Sequence, residues 1–340
     1  MTAKSISKPA LRGFDKDLAE LEALAAAFKA NPVLSESGAM HLSRALEHRN
    51  NFLVSKAAKL VAEAEVAALL PDLLTAYDRF FIDASATDPQ CWAKNALAKA
   101  LVKLEHRQKD VYLRGLRHHQ MEGSWGEPSD TAGALRGTCL HALVDCPGIP
   151  DAELLAILIE SLIDTDKTVR MEAARAIGQV GGVSAGLLLR LRILLGSDEP
   201  EVLGACFSAL LDLERENAIP LVAAALKEGD ELSAEAAYAL AELRSSETWS
   251  ALRERWRKGA DSWFASVLLS AMALTRLPEA MEFLIGMIEQ DSREAVSAIE
   301  ALGSAAPTAE VRLRLQQAVE QGGSERLRQA FNKHFPSQTN

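Results

Sequence analysis

The sequence predicts an all-α protein built as a stacked array of helical hairpins. Its clearest repeat is Val-Arg-Met-Glu-Ala-Ala-Arg-Ala-Ile-Gly-Gln-Val at residues 169–180, with near-copies at 202–213, 233–243 and 267–277. Each copy has a small residue followed by a large aliphatic one, and the steps between these pairs are 33, 30 and 34 residues. The pairs are Ala176-Ile177, Ala209-Leu210, Ala239-Leu240 and Ala273-Leu274. A period of this size, filled by helical patterns, is typical of hairpin repeats.

The same pair continues the array in both directions, which gives about eight hairpins in all. The further pairs are Lys59-Leu60, Ala100-Leu101, Ala142-Leu143 and Ala301-Leu302. Between successive pairs lies another amphipathic helix, and proline opens several of these intervening helices. Proline is tolerated in a first helical turn because its missing amide has no intrahelical partner there. These prolines are Pro71, Pro150, Pro220 and Pro278.

The ends of the chain are predicted to cap this array. Helical patterns at residues 15–29 and 38–49 precede the first repeat, and patterns at 310–320 and 324–335 follow the last one. Terminal repeats must turn one face to water. We therefore expect N-terminal capping helices in residues 1–50, the repeat array in 51–305 and C-terminal capping helices in 306–340, as one continuous array.

The pattern Val-Arg-x-x-Ala-Ala-x-Ala-Ile-Gly at Val169 to Gly178 resembles the HEAT repeat, particularly the bacterial variety called lyase HEAT-like. The resemblance is specific over residues 130–305 and weaker before them. It implies a right-handed α-solenoid, an armadillo-type superhelix, that binds macromolecules through a concave face lined by the second helix of each hairpin. HEAT-like di-iron hydroxylases carry repeated His-Glu dipeptides, whereas none of the seven histidines here is followed by glutamate.

Composition excludes several classes of protein. The chain has no run of 18 or more uncharged apolar residues, so no membrane span is expected. Its first residues are basic and lack the apolar stretch of a secretory leader. Four cysteines in 340 residues do not resemble a disulfide framework. We therefore expect a cytoplasmic protein without a membrane partner.

Cys139, His141 and Cys146, with His118 and His119 nearby, are the candidates for a metal site, since thiolate and imidazole are zinc ligands. The repeat register favours packing instead. Cys139 and Cys146 fall on positions that hold apolar residues in later repeats, and free cysteine behaves as a small apolar residue. We expect no metal, cofactor or catalytic group, and a zinc site remains the alternative.

Two glycine-rich segments have different interpretations. Residues 178–182, Gly-Gln-Val-Gly-Gly, follow a helix and not a strand, so a helix cap is expected and not a phosphate-binding loop. Residues 121–130 form an insertion without counterpart in later repeats, with Trp125 at its centre. Such insertions often serve recognition, although Trp125 could equally cover a hairpin.

Charge is segregated along the chain. Residues 91–120 have a net charge of +5 and residues 196–250 a net charge of −9, in a chain of −10. Equivalent positions on stacked helices form columns, so the register predicts two basic columns on the second-helix face. The first column is Lys94, Arg136 and Arg170, and the second is Lys99, His141 and Arg175. A merely solvated charged face is the alternative.

The leading hypothesis is a scaffold or other protein-binding protein that takes an acidic segment of a partner on these columns, with Trp125 as an anchor. Nucleic-acid binding through the same columns is the first alternative, and the overall acidity speaks against it. A lyase-type activity using the 121–130 loop is the second alternative, although no residue there provides its chemistry.

Overall fold

The protein is described by a computed structural model that covers residues 13–123, 126–322 and 324–336. Its elements are helices, apart from one short pair of strands in the described part of the chain. The chain divides into two compact units, Met1–Ala173 and Ala174–Asn340. We describe each unit by itself.

The first unit contains the predicted helical hairpins together with the strand pair. Its helices are α1 (Gly13–Ala30), α2 (Glu36–Glu47), α3 (Asn51–Glu63), α4 (Leu70–Arg79), α5 (Ala84–Thr87), α6 (Trp92–Lys103), α7 (Lys109–Leu116), α8 (Gly133–Val144) and α9 (Asp151–Ser161). The antiparallel strands are β1 (Met121–Glu122) and β2 (Ser129–Asp130). Short 3-10 turns lie at Ala67–Leu69 and Pro89–Cys91.

Helix α10 (Lys167–Val180) begins in the first unit and ends in the second. The helices of the second unit are α11 (Gly182–Leu195), α12 (Pro200–Glu214), α13 (Ile219–Ala224), α14 (Glu231–Leu243), α15 (Ser246–Arg257), α16 (Ser262–Thr275), α17 (Pro278–Glu289), α18 (Ala295–Ser304), α19 (Ala309–Gly322) and α20 (Glu325–His334). A 3-10 turn at Arg215–Ala218 precedes α13.

Alternate helices stack within each unit. In the first unit α3 packs against α6, and α6 packs against α8. In the second unit α12, α14, α16, α18 and α20 pack in succession. The helices that carry the small-large pairs thus form one layer and the intervening helices another, which is the arrangement of an all-α solenoid and confirms the predicted fold class.

Polar residues begin several of these helices. The Asn50 side chain accepts a hydrogen bond from the Leu53 amide at 3.1 Å, and Asp261 accepts one from the Phe264 amide at 2.8 Å. Such caps satisfy amides that have no partner inside the helix. Pro278 lies in the first turn of α17, as the sequence predicts.

The small-large pairs form the core of each hairpin, but two of them were predicted in the wrong register. In α16 the buried pair is Ala271-Met272, whereas Leu274 is 37% exposed. In α3 the buried pair is Leu60-Val61, and Lys59 faces solvent. Helix α16 offers two such pairs, whereas α3 places the two large residues Leu60 and Val61 at this position, and packing decides which residues face inward.

The terminal helices agree with prediction to within a few residues. Helices α1 and α2 cover the patterns at 15–29 and 38–49, and α19 and α20 cover those at 310–320 and 324–335. Gly181 follows α10 with φ +78°, which confirms that the 178–182 segment caps a helix. No helix in the described ranges has the length and apolar character needed to span a membrane.

Candidate functional site

Lys94, the first member of the first predicted column, is a buried residue. Its Nζ lies 3.0 Å from Oδ2 of Asp88, whose side chain is also fully buried, and it donates to the Phe80 carbonyl oxygen at 3.2 Å. The Asp88 carboxylate also accepts hydrogen bonds from the Ala93 and Lys94 amides at 2.8 and 2.9 Å. This pair therefore fixes the first turn of α6.

Arg136 on α8 is only 1% exposed. Its Nε and Nη2 donate to the two carboxylate oxygens of Asp164, each at 2.9 Å. Its Nη1 donates to Asp130 at 2.7 Å and to the His118 carbonyl oxygen at 3.1 Å. Burial alone lowers the Arg136 pKa, but the hydrogen bonds with both carboxylates outweigh it and raise that pKa. The guanidinium thus joins two successive turns of the first unit.

Arg170 continues this arrangement from α10, where its Nη1 donates to the carbonyl oxygens of Asp164 and Thr165 at 2.6 and 3.2 Å. The expectation that Lys94, Arg136 and Arg170 form a column for a partner is therefore wrong. All three are buried, and the two described above neutralise carboxylates of their own chain.

Lys94, Arg136 and Arg170 thus form a buried ladder, and the sequence contained a signal for it that the helical register did not show. Each basic residue follows an aspartate by six positions, and each aspartate lies in the segment that precedes the helix. The pairs are Asp88 with Lys94, Asp130 with Arg136, and Asp164 with Arg170. A separation of six residues between a carboxylate before a helix and a cation on that helix indicates an ion pair within the chain. The helical register alone indicates only that the three cations lie at equivalent positions on successive helices.

The second predicted column has a different character. Lys99 and Arg175 are exposed, on α6 and α10 respectively. His141 is partly buried, and its Nε2 lies 2.6 Å from Oε2 of Glu172. Lys59, which directly precedes the corrected pair of α3, occupies the equivalent position and is exposed. Arg175 belongs to the second unit, so in the first unit the exposed cations at this position are Lys59 and Lys99, beside the partly buried His141.

The 121–130 insertion is held at both ends. Met121 pairs with Asp130 and Glu122 with Ser129 across the two strands. The Glu122 carboxylate accepts hydrogen bonds from the Gln90 amide at 2.9 and 3.0 Å. The ends of the insertion therefore support the turn before α6 and the buried ladder. Trp125 lies outside the described residues, so its role as an anchor stays a prediction.

The cysteines are core residues. Cys139 is fully buried, with its Sγ 3.9 Å from the Tyr77 hydroxyl, and Cys146 is buried and donates to the Ala142 carbonyl oxygen. Burial raises the pKa of the Cys139 thiol to about 12. These positions confirm the packing interpretation. Across the described ranges no three His, Cys, Asp or Glu side chains gather as metal ligands.

A groove of about 630 Å³ lies where α3 and α6 stack in the first unit. Its apolar lining comes from Ala62, Ala96, Ala100 and the Trp92 indole, which is 51% exposed. The Trp92 ring stands 5.9 Å from the Phe52 ring. An exposed indole beside small residues leaves room for an apolar side chain of a partner.

Lysines surround this apolar lining. They are Lys56, Lys59, Lys99 and Lys103, against the single carboxylate of Glu63. Three of them form exposed ion pairs, Lys56 with Glu22 at 3.0 Å, Lys59 with Glu63 at 3.8 Å and Lys103 with Glu65 at 2.7 Å. Exposed pairs of this kind contribute about 0–1 kcal/mol each, so a partner carboxylate can replace them at little cost. Within the described residues Lys99 has no carboxylate at ion-pair distance.

No family profile matches the chain, and no curated protein sequence matches it. Human deoxyhypusine hydroxylase in complex with glycerol is similar in structure, with 16% identity over 77% of this chain and 98% of that chain and a TM-score of 0.29. An engineered protein is similar with 16% identity over 91% of this chain and 94% of that chain and a TM-score of 0.32. A second engineered protein has 17% identity over 85% and 96% of the two chains, with a TM-score of 0.20.

Proposed function

We propose that this protein is a protein-binding scaffold with HEAT-like repeats, and that an acidic segment of its partner binds in the groove between α3 and α6. The observation that carries the proposal is the lysine border around an apolar lining. Lys99 stands in that border without a carboxylate partner among the described residues, and Trp92 exposes half of its surface inside it. We assign the proposed binding surface to Lys59, Lys99 and Trp92, and not to the buried Lys94, Arg136 and Arg170.

The groove favours a particular kind of segment. An amphipathic helix binds a groove between two helices by its apolar face, and here an apolar side chain would contact Trp92 and the neighbouring alanines. Carboxylates on the sides of that helix would then meet Lys59 and Lys99. Aromatic anchors supply most of the free energy at such contacts, and complementary charge supplies register and rate of association.

Labelled peptides of equal length test this proposal by fluorescence anisotropy. One peptide is acidic and amphipathic, one has the same charge without apolar residues, and one is basic. We expect the first to bind most tightly, the second more weakly and the third not at all, and we expect binding to weaken as salt rises. Failure of the acidic amphipathic peptide to bind at any concentration would contradict the proposal.

Substitutions then locate the site. Lys59→Glu combined with Lys99→Glu is expected to weaken peptide binding by about tenfold or more, because each reversed charge is worth about 1 kcal/mol or more at this exposure. Trp92→Ala should remove the preference for the amphipathic peptide over the purely acidic one. Lys29→Glu is the matched control, since Lys29 is an exposed lysine of the same unit that does not line the groove. Equal losses in all variants would refute this location.

Nucleic acid is tested in the same assay with a labelled duplex and a labelled single strand. The net charge of −10 disfavours this alternative, because nucleic-acid binders usually present a basic domain. The result that would favour it is binding of the duplex or the single strand with a steep salt dependence, together with loss of this binding in the double lysine variant. That result would identify nucleic acid, and not an acidic peptide, as the ligand of the groove.

A further inference from the structure

Helix α11 carries a continuous apolar surface on its outer side. Five aliphatic side chains there are each between 56% and 81% exposed. They are Val183, Leu187, Leu191, Leu194 and Leu195. The opposite side of the helix packs into the second unit through Ala185, Gly186 and Leu189. Large exposed aliphatic patches of this kind mark interaction sites on proteins.

The spacing of these residues determines what can pack on them. Val183, Leu187, Leu191 and Leu195 follow one another at intervals of four residues, so they form a single ridge along the helix. Two such ridges interdigitate when helices cross at about −50°, which is the commonest class of helix packing. The ridge of α11 is therefore complementary to a second copy of itself.

The charges around the ridge also favour a second copy. The Arg190 guanidinium pairs with Glu214, with Nε 3.1 Å from the carboxylate, and Arg192 pairs with Asp198. The ridge itself has no ionisable side chain, so two copies bring no like charges together across it. Both arginines on α11 already have carboxylate partners, which leaves this face without a charge that would select an acidic peptide or an anionic membrane.

From this geometry we infer that α11 is the contact helix of a homodimer, with the two copies related by a two-fold axis that crosses the ridge between Leu187 and Leu191. In a two-fold contact the same patch serves both chains. The five side chains expose on the order of 600 Å² per chain, so a contact that covered all of them on both copies would bury at most about 1,200 Å², the lower end of stable interfaces. We therefore expect a reversible dimer with a dissociation constant in the micromolar range.

Sedimentation velocity of the full chain, from below micromolar to several hundred micromolar, tests the inference. The wild type is expected to shift from monomer to dimer over this range. Leu187→Glu and Leu191→Glu should each hold the chain monomeric. In a dimer of either variant the new carboxylate of one copy would be buried close to the same carboxylate of the other copy. Circular dichroism and the Tm check that these exposed positions leave the fold unchanged.

Ile82→Glu is the matched control, since Ile82 is 70% exposed and lies in the first unit; it should leave the dimer unaffected. A wild-type chain that stays monomeric at every concentration would overturn the inference. So would a dimer that survives both α11 variants, or flotation of the wild type with neutral lipid vesicles that those variants abolish, which would make a lipid surface the occupant.

Discussion

Replacing Arg136 by methionine is expected to destabilise the first unit by about 3–5 kcal/mol, because it leaves carboxylates buried without their cation. The two unpaired groups differ in what they retain. Asp130 keeps hydrogen bonds from the Gln120 and Ala132 amides, each at 3.0 Å, and its contact with Nδ1 of His119 at 2.8 Å. Within the described residues the Asp164 carboxylate keeps only the Asp166 amide at 2.8 Å, so most of the loss should fall on Asp164.

A double-mutant cycle separates the lost pair from the lost side chain. Arg136→Met combined with Asp164→Leu removes both charged partners of one contact and is expected to cost less than the sum of the single changes, by about 2 kcal/mol. Urea denaturation followed by circular dichroism gives the free energy of unfolding for each variant. Lys99→Met, which changes an exposed cation of the same layer, should cost less than about 0.5 kcal/mol.

Additive effects of Arg136→Met and Asp164→Leu would refute the coupling between them. A loss at Arg136→Met no larger than that at Lys99→Met would show that the guanidinium does not hold the unit together. The free energy of unfolding is also needed to interpret peptide binding. If an Arg136 variant fails to bind a peptide, the cause is loss of folding and not loss of a recognition contact.

Three further predictions follow from buried groups. Burial raises the Asp130 pKa, but hydrogen bonds from amides and cations outweigh it and hold that pKa well below its usual range. The ionised carboxylate therefore stabilises the protein above about pH 4, and this stability is lost as the pH falls further. Asp130→Asn should make the decrease of Tm with falling pH smaller. Burial raises the pKa of Cys91 to about 12, and all four cysteines are buried; we expect them to resist iodoacetamide in the folded chain and to react after denaturation, as counted by mass spectrometry. A Cβ on Gly178 would lie 2.9 Å from the Ala209 Cβ; Gly178→Val should therefore cost about 1–3 kcal/mol in urea denaturation, and adding Ala209→Gly should recover part of it.

Helix positions were predictable because their signal is local and repeated. Small-large pairs recur at a nearly constant period, and each of the helices that carry them is present where the pattern placed it. The errors at Ala273-Leu274 and Lys59-Leu60 have one cause. In a helix with several adjacent apolar residues, sequence specifies the helix but packing against its neighbours specifies which residues face inward.

The candidate site was predictable only in part. The register placed Lys99 on an exposed position, and it placed Arg136 in a column with the buried Lys94. It could not decide burial, because that depends on a carboxylate contributed by the preceding turn. The exposed Trp92 was missed, since a tryptophan at the start of a helix has no pattern that separates a lining residue from a core one. The α3 residues that line the groove with it are 29 to 37 positions away in sequence.

The buried ladder also affects how such a chain can change in length. Arg136 donates hydrogen bonds to the aspartate of its own hairpin and to that of the following one. Removal of one of these hairpins therefore leaves the charged group of the other without its partner. In the second unit the equivalent positions hold Leu203 and Ser233, neither of which carries a charge. Deletion of either of the two hairpins that Arg136 joins is therefore expected to leave part of this charge network unpaired, whereas Leu203 and Ser233 impose no such charge balance on their neighbours.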